Sequence, residues 1–312
     1  MGRLETLLTT TDDVVVTAEL PTIDGGGLDA VRRHLAPLAP YVDAVNATDN
    51  TAAHAHASNL AIAIAMQQLG VEPIMQVVCR DKNRLAIQAD IVGAALHGIE
   101  NICCLTGDDV TAGDEPESRR VFDLDGPQLV RVAATIARGS YLSGRAIKPA
   151  PHLYIGAVEN PAAPPYDYRV PRAQKKAEAG AQFLQLQICY QPERLEAFVG
   201  QAHALGLTRT TALLPTICLV KSARALCFMN EHVPGIVVPE ETISRVERAH
   251  DPMKAAYLLA LEQAEHALSL PGVRGIHLAG FRFDDSIGRL VTELGLHRRH
   301  EEQHAHGSQL AG

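Results

Sequence analysis

The chain has 312 residues, of which 46% are hydrophobic, and its formal net charge is −8. An acidic chain has no electrostatic attraction for nucleic acid or anionic lipid, so we expect a small-molecule partner instead. The sequence contains no apolar run of about 18 residues and no basic-then-apolar signal peptide. We therefore expect a cytoplasmic protein that does not associate with membranes.

Eight short apolar runs divide the chain at fairly even intervals, and each is followed by a helix-like stretch. They cover residues 14–20, 42–48, 73–79, 102–105, 153–158, 183–188, 211–218 and 275–278. Continuous aliphatic runs that alternate with helices are typical of a parallel sheet buried on both faces. Eight such units predict an α/β fold, a closed (β/α)8 TIM barrel, with its active site at the carboxyl ends of the strands.

The barrel is predicted as a single domain over residues 1–296. Residues 297–312 are rich in His and Glu, and we expect them to form a disordered tail rather than a metal site. Six cysteines lack the spacing of a zinc site and are interpreted as reduced core residues. They are Cys79, Cys103, Cys104, Cys189, Cys218 and Cys227.

Polar residues collect where the apolar runs stop. Glu19 ends the first run in an apolar setting, where desolvation would raise its pKa and keep it protonated as a general acid. The alternative is a surface glutamate at a strand end. Asp108 has Gly107 beside it, so that the backbone there can approach a ligand.

Two glutamines, Gln76 and Gln187, fall inside predicted strands. Buried amides need hydrogen-bond partners. The two side chains therefore either bind one another inside the barrel or bind a polar heterocycle.

Three further segments flank the strand ends. Residues 80–84, Arg-Asp-Lys-Asn-Arg, either pair internally and cap the next helix or shape a rim for an acidic substrate tail. Residues 109–127 form a long acidic loop, and long loops in compact domains tend to be functional. Residues 160–171 are rich in Pro and Ala and are predicted to form a wall or lid before a helix starting near Arg172.

Seven fragments in chain order resemble methylenetetrahydrofolate reductase, in particular the branch found in acetogens and related bacteria. They are ATDN at 47–50, QVVCRDKNR at 76–84, LTGD at 105–108, GD through VFDLD at 113–125, GAVENP at 156–161, KKAEAGA at 175–181 with Gln185 to Gln187, and VPGIVVP at 233–239. The resemblance covers nearly the whole chain.

The resemblance implies a flavin-dependent barrel of one-carbon metabolism and methionine biosynthesis. Such an enzyme reduces 5,10-methylenetetrahydrofolate to 5-methyltetrahydrofolate with hydride from NADH or NADPH. FAD is the expected flavin, while FMN and a flavin-free direct hydride transfer stay open. A homo-oligomer is expected by analogy, and a partner subunit stays open.

The resemblance also implies roles for individual residues. Glu19 matches the proton donor, Asp108 matches the aspartate beside flavin and pterin, and Gln187 matches a folate-binding glutamine. The expected cofactor contacts are Thr48, Gln76, Thr106, Gly107, Asp108, Asn160 and Lys176, of which Gln76 also binds substrate and Lys176 suits a phosphate.

The chain departs from the better-known bacterial pattern at three positions. Gln76 replaces a histidine, Thr106 replaces an arginine and Val158 replaces an aromatic residue. These losses motivate a second hypothesis, a non-catalytic folate-binding or partner subunit that retained the barrel. No metal site is predicted, because His54 and His56 would not share a helix face.

Overall fold

Eight parallel strands close into a barrel in which each strand pairs with its neighbours in chain order and β8 pairs with β1. The computed structural model describes residues 1–280 and 285–296. The strands are β1 Val15–Glu19, β2 Ala44–Ala47, β3 Pro73–Val78, β4 Asn101–Leu105, β5 Tyr154–Glu159, β6 Phe183–Leu186, β7 Ala212–Leu219 and β8 Gly275–Gly280. The predicted (β/α)8 barrel is confirmed.

The described helices are α1 Arg3–Thr10, α2 Gly27–Leu35, α3 Asn59–Gln68, α4 Arg84–Leu96, α5 Gly126–Ala137, α6 Arg169–Ala179, α7 Pro192–Ala204, α8 Ala223–His232, α9 Glu240–Glu247, α10 Pro252–Ser269 and α11 Ser286–Glu293. Helices α2 to α10 lie between successive strands, while α1 precedes β1 and α11 follows β8. Among the described helices, none is long and apolar enough to cross a membrane.

Side-chain caps fix where several helices begin. Asn83 accepts hydrogen bonds from two backbone amides at the start of α4, and Ser58 accepts one at the start of α3. At α5, Asp125 and Gln128 form a reciprocal capping box, followed by a proline in the first turn. These caps set the lengths of the loops that leave β2, β3 and β4 toward the carboxyl end of the barrel.

The amino-terminal helix α1 closes the opposite end of the barrel. Leu4 and Leu8 belong to a cluster with inward-facing strand residues that include Ile74, Tyr154 and Phe183. The Tyr154 and Phe183 rings stack with centroids 5.4 Å apart. The lower half of the barrel is therefore packed solid, and open space remains at the carboxyl ends of the strands.

The link between β7 and β8 is longer than the others and contains α8, α9 and α10. A second apolar cluster, separate from the main core, joins these helices to the end of β7 through residues such as Leu226, Met229 and Val246. This subdomain places residues 233–236 beside the mouth of the barrel.

Three sequence predictions are corrected in detail. β6 ends at Leu186, so Gln187 lies beyond the strand and not within it. Helix α6 begins at Arg169, three residues before the predicted start, and includes Pro171 in its first turn, where proline is tolerated. The amino-terminal helix α1 was not predicted. The predicted tail at 297–312 lies outside the described residues.

The six cysteines are all free thiols, as predicted. Four of them are buried, namely Cys79, Cys103, Cys104 and Cys218, whereas Cys189 and Cys227 are only partly buried and do not match the predicted core position. Burial raises the pKa of the Cys103 thiol to about 12, which keeps it protonated and unreactive.

Candidate active site

A cavity of about 360 Å³ opens at the carboxyl ends of the strands. Every predicted site residue except Thr48 lines it: Glu19, Gln76, Thr106, Gly107, Asp108, Asn160, Lys176 and Gln187. Thr48 is buried at the end of β2 and is not among the lining residues, whereas the following Asp49 and Asn50 are. The mouth of the barrel thus collects side chains from all eight strands or the loops that follow them.

Glu19 is the last residue of β1 and points into this cavity. Although partly accessible from the cavity, it is surrounded by protein, and desolvation raises its pKa to about 7. A substantial fraction of Glu19 is therefore protonated at neutral pH. The structure thus places this glutamate in the cavity and not on the outer surface.

Asp108 lies across the same cavity, in the loop after β4. Burial raises the pKa of Asp108, and the positive charge of Arg80 acts in the opposite direction. The Arg80 side chain is only 2% exposed; it donates to the backbone oxygens of Asn50 and Asp108 and forms an ion pair with Asp81. This buried guanidinium ties together the loops after β2, β3 and β4.

Gly107 adopts φ +88°, a left-handed conformation that favours glycine. A Cβ at this position would lie 3.1 Å from Cβ of Arg80 and 3.4 Å from Cβ of Val78. From the sequence, we predicted that this glycine lets the backbone approach a ligand. The structure shows that the glycine also lets the β4 loop pack on the end of β3.

The side chains of Gln76 and Gln187 form no hydrogen bond with each other. Gln76 in β3 faces the cavity, and its side chain makes no hydrogen bond to a described residue. Gln187 accepts a hydrogen bond from the backbone amide of Ile188 at 3.0 Å and lies at the rim. Both side chains therefore retain amide hydrogens for a ligand.

The charged run at residues 80–84 takes the structural role. Arg80 pairs with Asp81 at 2.6 Å, Asn83 caps α4, and Arg84 binds Asp123 outside the cavity. The Lys82 ammonium bridges Asp49 and Asp90, at 3.0 and 3.1 Å. Pairing within the run is confirmed for Arg80 and Asp81, and capping is confirmed for Asn83, whereas Lys82 and Arg84 pair with acids outside the run.

Lys176 is enclosed by the end of β5. Its ammonium lies 2.7 Å from a carboxylate oxygen of Glu159 and also binds the carbonyl of Val158. Glu159 is fully buried and also pairs with Arg169 and Arg172, at 3.4 and 3.6 Å. Desolvation lowers the pKa of Lys176, while its Glu159 partner opposes that shift. The cluster carries three cations around one carboxylate, and Arg172 is its most exposed member.

A polar layer from four strands forms the floor of the cavity. His277 in β8 binds Thr17 and Gln185 through Nδ1, and Gln185 exchanges two hydrogen bonds with Asn46. Burial lowers the pKa of His277 to about 3, so its ring is neutral.

Sequence reasoning missed the site roles of Glu159, Arg172, Gln185 and His277, all of which line the cavity. One signal was available for His277, a lone polar residue inside the apolar run Gly-Ile-His-Leu-Ala-Gly of β8. For Gln185, the available signal was the predicted strand over residues 183–188, in which alternate residues such as Gln185 and Gln187 would share a face.

One group of metal-ligand type lies elsewhere. Glu5, Glu100 and His152 bring ligand atoms within 4.8 Å of one another near α1, at the closed end of the barrel. Their position separates them from the candidate active site.

Comparison with known families decides what this barrel is related to. The family model described as "Methylenetetrahydrofolate reductase" matches residues 29–295. The chain belongs to the methylenetetrahydrofolate reductase family. The suspected resemblance is thereby confirmed over most of the chain.

Two curated relatives agree with this assignment. Methylenetetrahydrofolate reductase 2 of Schizosaccharomyces pombe is 25% identical over 231 residues, which are 71% of this chain and 35% of that protein. A probable methylenetetrahydrofolate reductase (NADPH) of Caenorhabditis elegans is 25% identical over 246 residues, 77% of this chain and 35% of that protein. The matched segment spans about a third of these relatives.

Solved structures share the fold at low identity. An uncharacterized protein from Clostridium thermocellum that binds two copies of 5-methyl-5,6,7,8-tetrahydrofolic acid aligns with TM-score 0.64 at 11% identity, covering 95% of this chain and 98% of that chain. EDTA monooxygenase from Chelativorans aligns with TM-score 0.54 at 9% identity, covering 93% and 94%. These similarities concern the barrel alone.

Proposed function

We propose that this member of the methylenetetrahydrofolate reductase family reduces 5,10-methylenetetrahydrofolate to 5-methyltetrahydrofolate with hydride from NADH or NADPH. The observation that carries the proposal is the placement of Glu19 and Asp108 in one cavity. One group is an acid poised near neutral pH, and the other is an acidic side chain free of a hydrogen-bond donor among the described residues. A folate-binding protein in the same fold class lends further support.

Glu19 acts as the general acid in this proposal. Opening the five-membered ring of the substrate requires a proton on the departing nitrogen, and a carboxylic acid with pKa about 7 supplies one at neutral pH. The apolar strand around Glu19 disfavours the carboxylate before the transfer. The ring opens to a cationic one-carbon unit that then accepts hydride.

Asp108 binds and orients the pterin in this proposal. As a carboxylate, it accepts hydrogen bonds from the pterin amino and ring N–H groups and stabilises positive charge that develops on the ring. The positive charge of Arg80 favours this carboxylate, because it opposes the rise in the pKa of Asp108 that burial causes. Gln76 and Gln187 offer additional amide groups to the same ring system.

The cavity also suits a flavin, and we favour FAD as the cofactor. The side chain of Gln76, which has no hydrogen-bond partner in the described part of the chain, the Thr106–Gly107 backbone and Asn160 can bind the polar edge of a planar heterocycle. Arg172 can bind a phosphate at the rim. A bound flavin would relay hydride from the nicotinamide to the folate. The protein would position both rings and exclude water from the closed floor of the barrel.

Direct hydride transfer without flavin is the second candidate. It is motivated by Lys176, the cation matched to a cofactor phosphate, because its ammonium is already engaged by Glu159 and Val158. In that case NAD(P)H would lie against the folate in the same cavity.

The visible spectrum of the purified full-length protein, together with an NADH and NADPH oxidation assay, tests the proposal. We expect oxidation of NADH or NADPH that depends on methylenetetrahydrofolate. We also expect an absorption band at roughly 450 nm, which marks bound flavin. A colourless protein with folate-dependent oxidation would support direct transfer. Folate binding without turnover, with FAD and FMN supplied, would contradict the reductase and support the non-catalytic subunit.

Substitution Glu19→Gln tests the proton donor. We expect kcat to fall by roughly 10²–10⁴-fold, the usual contribution of a general acid, with a much smaller change in the affinity for folate. The wild-type rate should decline as pH rises through about 7, where Glu19 loses its proton, and the variant should lack that decline.

The matched control is Glu241→Gln in α9, an exposed glutamate that is not among the residues lining the cavity. It should leave both the rate and the pH profile unchanged. Wild-type turnover by Glu19→Gln would remove Glu19 from the mechanism.

A further inference from the structure

The floor of the cavity holds a histidine whose hydrogen bonds leave one nitrogen for a ligand. Two groups lie within hydrogen-bond distance of Nδ1 of His277: Oγ1 of Thr17 at 2.9 Å and Nε2 of Gln185 at 3.3 Å. Gln185 exchanges hydrogen bonds of 2.8 and 3.0 Å with Asn46, across the barrel. These contacts join β8, β1, β6 and β2 in one layer.

The layer fixes the tautomer of the imidazole. Asn46 donates to Gln185 Oε1, and the Cys103 thiol also points at that oxygen, 3.6 Å away. The amide nitrogen of Gln185 is therefore the group that faces His277, and it can only donate. Nδ1 is then an acceptor, so a neutral ring carries its proton on Nε2.

The Nε2–H group faces the cavity. His277 is 5% exposed and lines the cavity. Its Nε2 makes no hydrogen bond to a described residue, yet it is not fully buried, so it is accessible from the cavity. In the barrel register His277 is level with Thr17, two residues below Glu19 on the same strand face. The donor therefore lies about 7 Å deeper than the proposed acid.

We propose that His277 is a ligand-binding residue that donates its Nε2–H to the ring carbonyl of a fused pyrimidine at the bottom of the cavity. This inference rests on the proposed function. A pterin and an isoalloxazine both carry such a carbonyl. An uncharged acceptor fits because two cations of the cavity are held nearer its mouth, Arg80 by the carbonyl of Asn50 and Arg172 by Glu159 at the end of β5. The neutral ring end of a ligand is then left for the floor.

Binding measurements on the full-length protein test the inference. The probes are 5-methyltetrahydrofolate and FAD, each titrated calorimetrically into wild type, His277→Ala and His277→Gln. We expect His277→Ala to weaken one probe by about tenfold, the effect of one buried neutral hydrogen bond, and the affected probe identifies the ring on the floor. His277→Gln retains an N–H donor and should remain within about threefold of wild type.

Three binding outcomes would overturn the inference. They are unchanged affinity of His277→Ala for both probes, a Gln variant no better than Ala, and a wild-type protein that binds neither probe. A protein that lacks reductase turnover but shows the His277 effect would refute the proposed function and leave this binding role standing.

Nitrogen-15 NMR of the wild-type imidazole provides a readout that does not depend on folding of the His277 variants. We expect the Nε2-protonated tautomer in wild type and a shift of the Nε2–H resonance when the affected probe binds. Thr17→Val should weaken control of the tautomer, whereas Thr17→Ser should preserve it. An Nδ1-protonated ring in wild type would contradict the assignment.

Discussion

Lys176 and Glu159 form the most completely buried ion pair around the cavity. Their side chains are 3% and 0% exposed, and two arginines lie on the far side of the carboxylate. Removing one partner of a buried pair leaves an uncompensated charge, which is more destabilising than loss of the pair itself. The negative charge of Glu159 therefore holds Lys176 and the two arginines in one cluster.

Substitution Glu159→Gln should lower the free energy of unfolding by about 3–5 kcal/mol, because Lys176 would stay buried beside Arg169 and Arg172 without its anion. The double variant Glu159→Gln, Lys176→Met should lose less than the sum of the single variants. Urea unfolding measures both quantities.

The control for this pair is Asp123→Asn, which breaks the more exposed ion pair with Arg84. We expect a change within about 1 kcal/mol. If Glu159→Gln were as stable as Asp123→Asn, the buried charge of Lys176 would not need the Glu159 carboxylate, and the prediction would be wrong.

At the scale of single elements, α1 has the clearest structural task. Its residue Leu4, which is 0% exposed, closes the amino end of the barrel. The backbone amides of Arg3 and Leu4 donate hydrogen bonds to the Glu72 carboxylate and anchor the helix. Because strand residues from around the barrel meet Leu4 and Leu8, the helix supports the packed lower layer on which the cavity floor rests.

Substitution Leu4→Ala should destabilise the protein by about 2–5 kcal/mol, since it leaves a void in a fully buried apolar layer. Leu96→Ala at the end of α4, where the side chain is 82% exposed, is the matched control and should change stability by less than about 0.5 kcal/mol. Denaturant melts of both variants provide the comparison. Equal stabilities would mean that α1 does not support the barrel.

For the whole molecule, the buried acid at the cavity makes stability depend on pH. The pKa of Glu19 is raised to about 7 in the folded state by desolvation. Between its ordinary pKa and about 7, the folded state binds more protons than the unfolded state, so stability falls as pH rises through this window. His277 acts oppositely, because its pKa is lowered by burial.

A comparison of Glu19→Gln with wild type isolates the contribution of Glu19. The variant should gain stability relative to wild type as pH rises from 5 to 8, by roughly 3 kcal/mol at most, because a neutral amide avoids the buried charge. Urea unfolding at several pH values measures the difference. A difference that does not change with pH would place the titration of Glu19 near its ordinary range.

The apolar strand runs and their helical spacers determined the barrel from sequence, because a strand buried on both faces has a distinctive composition. The strand ends then indicated the cavity, and Glu19, Gln76 and Asp108 were found because parallel strands all end on one side. Fragments of family resemblance supplied the rest of the predicted cofactor set.

Only the tertiary structure decided which groups meet across the barrel. The Asn46–Gln185–His277–Thr17 layer joins residues up to 260 positions apart, and the Lys176–Glu159 pair joins a helix to the preceding strand. Local patterns record whether a side chain is buried, but its partner depends on strand register and barrel closure, which are set by long-range packing. The sequence therefore determined where chemistry collects, and the fold decided which hydrogens and charges remain for a ligand.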